Sequence, residues 1–433
     1  MGAGGVVGAE GITTGVLGGR WRATVTPWGG IQPWPHAATG GGGVVEEPTL
    51  EWHVAADDRW HSPEREPAVR QQRVEGTAVV ETRLRIPNGD AVQRIWSVPD
   101  HGGLTVIEVT NESPLPIAVA FTRGDLLTVR PATAPIEGID LPAGSVAFPV
   151  GHHATATVAI SHRGGGAGPL PSGLAPSTGV VRGWLSTVER AGRLLLPDVS
   201  TSEALVSERC ELALAGPVHP DDDPVEFLLG VAQLVRMGEP SDAWLPDVAH
   251  AVEMAAKNAP RDWALGAAFT SAADIFRSAG DRRALKDLDA IRRRTPTDAA
   301  LPATAPASGA RLVVWWEHRL VAPTPDGAVL LAGGLPTGWA GNHFEVYGLP
   351  HGAGGTVSFA VRWHGARPAV LWEQTGTPTT LTSPLAPGWS TNEPKGETLW
   401  PEPAGVSHGD RVQPDVRVVP DDRVLPGEGT SFS

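Results

Sequence analysis

Asp223-Pro224-Val225-Glu226-Phe227-Leu228-Leu229-Gly230-Val231-Ala232-Gln233-Leu234-Val235-Arg236-Met237-Gly238 carries both a start and a stop signal for a helix. Asp223 stands where a side chain can cap the first turn. Pro224 occupies the first helical position, where its missing N–H costs nothing, and Glu226 falls at the capping-box position. Phe227, Leu228, Val231, Leu234 and Val235 recur at helical period, and Gly238 ends the run.

The same period extends to both sides of this stretch. Val180–Leu196 places Val181, Leu185, Val188, Leu194 and Leu195 on one stripe, and Ser202–Ala215 does so with Leu205, Val206, Leu212 and Leu214. Downstream, Ser241 or Asp242 opens a helix through Ala256. Asp262 opens one through Phe276, and Asp281 caps Arg282–Arg294 after Gly280. Short links between successive helices imply antiparallel neighbours, giving about six helices in three hairpins over residues 179–296.

Beyond these limits the period changes to two. Upstream, Trp21–Pro27, Leu50–Val54, Val79–Ile86, Ala91–Val98, Leu104–Thr110, Ile117–Arg123, Ser145–Pro149 and Ala154–Ser161 are short β-branched runs. Turns such as Pro87-Asn88-Gly89-Asp90 separate them, which predicts an antiparallel sandwich over 21–162. Downstream, after a Pro/Ala/Thr linker, strands are expected at Arg311–Glu317, Ala328–Leu331, His343–Tyr347, Thr356–Trp363, Ala369–Glu373 and Thr379–Thr382. They predict a smaller sandwich over 310–403. Residues 1–20 and 404–433 lack periodicity and read as flexible ends. The fold class is therefore α+β and multi-domain.

Composition narrows the function classes. The 433 residues carry a formal charge of −14, which disfavours nucleic acid and anionic membrane surfaces as partners. No stretch approaches ~18 uninterrupted apolar residues, and the N-terminus lacks a basic segment followed by an apolar core. A cytoplasmic location is expected. One cysteine, Cys210, rules out a disulfide framework within the chain. Sixteen Trp stand against one Tyr and 8 Phe.

Leu331-Ala332-Gly333-Gly334-Leu335-Pro336-Thr337-Gly338-Trp339, Phe344-Glu345-Val346-Tyr347-Gly348-Leu349-Pro350 and Gly355-Thr356-Val357-Ser358-Phe359-Ala360-Val361-Arg362 follow one another near the end. These segments, together with the order sandwich, helical hairpins, small sandwich, resemble the glucoamylase-like glycoside hydrolases of the (α/α) toroid superfamily. The match at motif level spans about 50 residues, and the helical segment is about half the length of a complete double ring. The resemblance implies a partial α/α toroid of the six-hairpin glycosidase kind and a neutral oligosaccharide or glycan as partner. It implies cleavage of a glycosidic bond by two carboxylates if the protein is an enzyme. A pseudoenzyme that binds carbohydrate without cleaving it, or a scaffold that assembles as a homo-oligomer, is the alternative.

Cleavage requires a protonated acid and an ionised carboxylate, roughly 5–5.5 Å or 6.5–9.5 Å apart according to stereochemistry. Glu317, in Val313-Val314-Trp315-Trp316-Glu317-His318-Arg319, is the first candidate, because aromatic flanks can raise a carboxyl pKa. Its plainer reading is a strand residue paired with Arg311 or Arg319. Glu373, after Trp372, and Glu393, in Trp389-Ser390-Thr391-Asn392-Glu393, are the candidate partners. Trp28, Trp34, Trp315, Trp316 and Trp389 are candidate sugar platforms, since indole faces suit sugar C–H faces; filling of domain seams is the alternative. No metal site and no cofactor are expected. His152 and His153 are adjacent and would point to opposite faces of a strand, and Gly40–Gly43 lacks the features of a phosphate loop. The Asn111-Glu112-Ser113 sequon is followed by Pro114 and carries little weight.

Overall fold

The computed structural model describes residues 11–37, 44–133, 136–297, 300–352 and 354–403. The expected flexible tail, the first half of the expected flexible start and the Gly40–Gly43 run lie outside them. The fold is α+β, with seven α-helices among the described residues and several mainly antiparallel sheets.

The N-terminal half is built on a seven-stranded sheet. Its order runs Gly168–Pro169, Leu127–Thr128, Thr155–Ser161, Leu104–Asn111, Gly89–Val98, Val80–Ile86, Val69–Arg73. A four-stranded sheet faces it, in the order Val146–Val150, Ile117–Phe121, Trp52–Ala55, Trp60–His61. Side chains alternate along each strand, so one face of each sheet is free to turn inward. Trp52, Val54, Val119, Phe121 and Phe148 from the second sheet share one buried core with Leu84, Ile95, Ile107 and Val158 from the first. Ile12–Gly15, expected to be flexible, is instead the edge of a three-stranded sheet with Arg22–Val25 and Ile31–Pro33. Two short pairings are parallel: Leu127–Thr128 with Gly168–Pro169, and Gly327–Val329 with Thr380–Thr382.

The helices are α1 (Ser177–Val188), α2 (Val199–Ala215), α3 (Pro224–Met237), α4 (Leu245–Asn258), α5 (Trp263–Ser278), α6 (Arg282–Arg294) and α7 (Gly309–Leu320). Asp223, Asp262 and Asp281 cap α3, α5 and α6 by accepting hydrogen bonds from backbone amides of the first turn. The expected reading fails in two places. Gly192, at φ 129°, breaks the run after α1, and Arg193–Leu195 becomes a strand paired with Phe344–Pro350. Arg311–Glu317, expected as a strand, lies within α7.

α7 joins two cores. Ala310, Val314 and Trp315 pack with the buried residues of α3, α4 and α5. Val313 and Leu320, on the opposite side, pack with Val346, Phe359, Val370 and Leu330 of the C-terminal sheets. Those sheets run Arg193–Leu195, Phe344–Pro350, Thr356–His364, Arg367–Thr375, Lys395–Leu399 and, facing them, Val321–Thr324, Gly327–Leu330, Thr380–Thr382, Ser390–Thr391. No helix among the described residues is long and apolar enough to cross a membrane.

Candidate functional site

α3 presents Gln233 and Arg236 on one side, three residues apart and therefore on one face. α7 brings Glu317 and His318 to the same place, and α2 brings Arg209. The result is a buried charge cluster, in which Arg209, Gln233 and Glu317 are 2%, 1% and 4% exposed. Glu317 Oε1 accepts from Arg209 Nη2 at 2.8 Å, from Gln233 Nε2 at 3.1 Å and from Arg236 Nη2. Oε2 accepts from Gln233 Nε2 at 3.2 Å and Arg236 Nη1 at 3.1 Å. Gln233 Oε1 in turn accepts from Arg209 Nε and Arg236 Nη2, and Gly192 O accepts from Arg209 Nη1.

A cleft of about 270 Å³ opens beside this cluster. Arg236, Glu317 and His318 line one side, and Thr270, Ser271, Asp274 and Ser278 of α5 line the other. Val235, Ile275, Val314, Val321, Pro323 and Pro350 supply apolar wall. Burial alone would raise the Glu317 carboxyl, but the guanidiniums of Arg236 and Arg209 outweigh it and hold the group below its ordinary value. Asp274 goes the other way: burial raises it, although Arg277 donates to it and its charge opposes the rise. Burial lowers His318 to about 4, so the imidazole is neutral near pH 7.

The expected role of Glu317 is corrected by this geometry. It sits on a helix, not a strand, its partners are Arg209 and Arg236 rather than Arg311 or Arg319, and it is held ionised, not protonated. Its oxygens accept five hydrogen bonds, which leaves little room for a substrate. Glu373 points outward opposite Lys395, and Glu393 follows the Ser390–Thr391 strand. Both are exposed, and neither lines the Glu317 cleft.

The tryptophans are largely committed elsewhere. Trp315 is buried and donates its Nε1–H to Pro302 O. Trp316 stacks on Trp339 at 6.2 Å, and Trp389 packs edge-on between Trp372 and Trp400. Trp315 belongs to the helical core, Trp316 fills the seam between that core and the C-terminal sheets, and Trp389 packs against the C-terminal core. Trp34 is half-buried and donates to Thr24 Oγ1. Trp28 lines a separate depression of about 150 Å³ with Trp52 and His53 in the N-terminal half.

His152 and His153 lie in the turn after Val146–Val150, not on a strand, and their rings are 3.7 Å apart. Among the described residues no group of three or more His, Cys, Asp or Glu is arranged to hold a metal ion. Asn111 is fully buried, its amide donating to Leu115 O, Val150 O and Gly151 O, so it organises a turn and is inaccessible to glycan attachment.

Sequence reasoning missed Arg209, Gln233, Arg236 and Asp274. The signal for two of them was present: Gln233 and Arg236 interrupt the most apolar helix among the described residues at one-face spacing. No protein-family model matches the chain, and a search of curated proteins finds no match.

Proposed function

We propose that the protein is a non-catalytic binder of a small polyhydroxylated ligand, of the size of one sugar ring, held in the cleft between α3, α5, α7 and the C-terminal sheets. The observation that carries this reading is the lining. Three hydroxyls, a carboxyl and a guanidinium converge from one side of α5 and α3 on a space with apolar walls. That mixture of a few placed polar groups on apolar surface is what small-ligand sites share, and a volume of about 270 Å³ falls just below their ~300–1,000 Å³ range, which limits the occupant to a small one. The resemblance to a shortened α/α toroid agrees with a site at the mouth of helical hairpins. Saturation of Glu317 by Arg209, Gln233 and Arg236 argues against its use as a base or nucleophile.

Hydrolysis is the second reading, and one observation favours it. Asp274, with a raised carboxyl, shares the cleft with ionised Glu317, the division of labour a glycosidase requires. Incubation with a panel of α- and β-linked oligosaccharides, followed by mass analysis, separates the two. Binding of monosaccharides by calorimetry with no new products supports the binder. Product release that disappears in Asp274→Asn supports the hydrolase. Neither binding nor products would overturn both.

A further inference from the structure

A serine, an imidazole and a carboxylate meet in the N-terminal half, away from the helical cleft. Strand Trp52–Ala55 pairs with Trp60–His61, with Val54 opposite His61, and the next pair along this register is His53 and Ser62. Ser62 precedes a short turn of helix, Pro63–Arg65, where a serine ordinarily caps the first amides. Its side chain makes no cap; Oγ lies 2.9 Å from His53 Nδ1 instead. Glu51 stands two residues before His53, so along the strand direction both side chains fall on one face, and its Oε2 is 4.0 Å from His53 Nε2. His53 is 9% exposed, and Nε2 is buried without a hydrogen-bond partner. Burial and the guanidinium of Arg65 lower His53 against the opposing charge of Glu64, so the ring is neutral near pH 7 and holds one proton. With that proton on Nε2, toward Glu51, Nδ1 is left to accept from the Ser62 hydroxyl. Glu51, His53, Ser62 and Arg65 all line the depression of about 150 Å³ beside Trp28. The Arg65 guanidinium has no ion-pair partner among the described residues.

We propose that this depression is a second site, one that hydrolyses short-chain acyl esters, with Ser62 as nucleophile, His53 as its base and Arg65 as the partner of the developing oxyanion. Glu51 is a positioning residue that acts through His53. In the first step Ser62 Oγ bonds to the ester carbonyl carbon and its proton passes to His53 Nδ1. The carbon–oxygen bond to the alcohol then breaks, and the alcohol leaves with that proton. Water attacks the acyl-serine and gives a proton to His53; the acid departs as Ser62 takes the proton back. The distance from Nε2 to Glu51 is long for a hydrogen bond, as catalytic contacts often are before substrate binds. A space of about 150 Å³ admits an acetyl or propionyl group and excludes a long chain, with the alcohol left outside. The non-catalytic reading applies to the helical cleft alone. The two sites share no lining residue, and each is tested separately.

The full chain, incubated with diisopropyl fluorophosphate and mapped by peptide mass, is expected to carry one label, on Ser62, and to turn over p-nitrophenyl acetate. Both are expected to vanish in Ser62→Ala, while His53→Gln and Arg65→Met each slow labelling about 100-fold. Glu51→Gln is expected to slow it as well and to move its pH midpoint toward acid, because the carboxylate no longer joins Glu64 in favouring the protonated ring against Arg65. Ser62→Cys is the second arm, independent of any loss of fold in the other variants. The introduced thiol, beside the same base, is expected to react with iodoacetamide at pH 7 at least ~10-fold faster than free cysteine. Label on other residues, no label, or turnover that persists in Ser62→Ala overturns the site, and so does an introduced thiol no more reactive than free cysteine.

Discussion

Glu317 is the residue on which sequence and structure part most sharply. Its aromatic neighbours suggest a raised, catalytic acid. In the folded chain it is the counter-ion of two buried guanidiniums. Replacing it with Gln leaves Arg209 and Arg236 without their charge partner, and loss of one member of a buried ionic cluster costs about 3–5 kcal/mol. Glu317→Gln is therefore expected to lower the urea midpoint strongly, and an unchanged midpoint would contradict the cluster as described. The imidazole next to it gives a pH signature. His318 and His162 are both lowered to about 4 by burial, against 6.5 when unfolded. As pH falls from 6.5 toward 4 the unfolded chain takes up protons that the native state refuses, so stability declines. The slope is about 1.4 kcal/mol per pH unit for each imidazole. Glu317 adds loss of the same sign at lower pH, as its depressed carboxyl is finally protonated. Urea midpoints from pH 7.5 to 4.5 check this: His318→Gln should flatten the upper part of the decline, and a midpoint rising toward acid would refute the assignment.

At the scale of elements, the source of the cap explains why α7 alone among the helices reads as a strand in sequence. α3, α5 and α6 carry their own Asp caps within three residues of the start, and all three could be read from sequence. α7 does not. Ser308 precedes it without capping it by its side chain. The Gly309 amide is satisfied by Glu208 of α2, and Ala310 and Arg311 by Glu226 of α3. With its cap supplied from elsewhere in the chain, the local signal came from Val313-Val314-Trp315-Trp316, two β-branched and two aromatic residues, which locally favour a strand. Glu226 was read as the closing half of a box on its own helix; it serves a different one. Gly309 is bound to this arrangement, because at φ 82° a side chain is strained and a Cβ would lie 2.4 Å from Glu226 Oε1. Glu226→Ala is expected to cost about 1–2 kcal/mol, comparable to Asp281→Ala at about 1 kcal/mol, although Glu226 has no capping role on its own helix. Thermal melts of the two variants compare them directly. A neutral Glu226→Ala would mean that α7 is capped otherwise. The charge cluster was illegible for the same reason: Arg209, Arg236 and Glu317 lie on three helices, and only their packing brings them together.

At the scale of the molecule, the helical and C-terminal parts are interleaved. α7 lends one face to each core, and Arg193–Leu195, from the start of the helical segment, forms the edge of the C-terminal sheet. The N-terminal half is attached as well: Arg73 pairs with Glu211 at 2.9 Å, Ser207 Oγ donates to Gly76 O, and Trp96 Nε1 donates to Ala175 O. Helical circular dichroism and Trp fluorescence of the C-terminal sheets are therefore expected to report one coincident unfolding transition for residues 177–403. A chain cut before Gly309 should lose helical structure rather than retain a folded helical domain. Separate transitions, or a helical fragment that folds alone, would show the two parts to be independent. The early strand also bears on the order in which the chain is made. Arg193–Leu195 leaves the ribosome long before its partner, about 150 residues further on, exists. Until then its edge and the apolar side of Leu194 have nothing native to pair with. Contacts of such long sequence separation slow folding and expose intermediates to aggregation. The protein is thus expected to need a holding chaperone during synthesis more than its helical content would suggest.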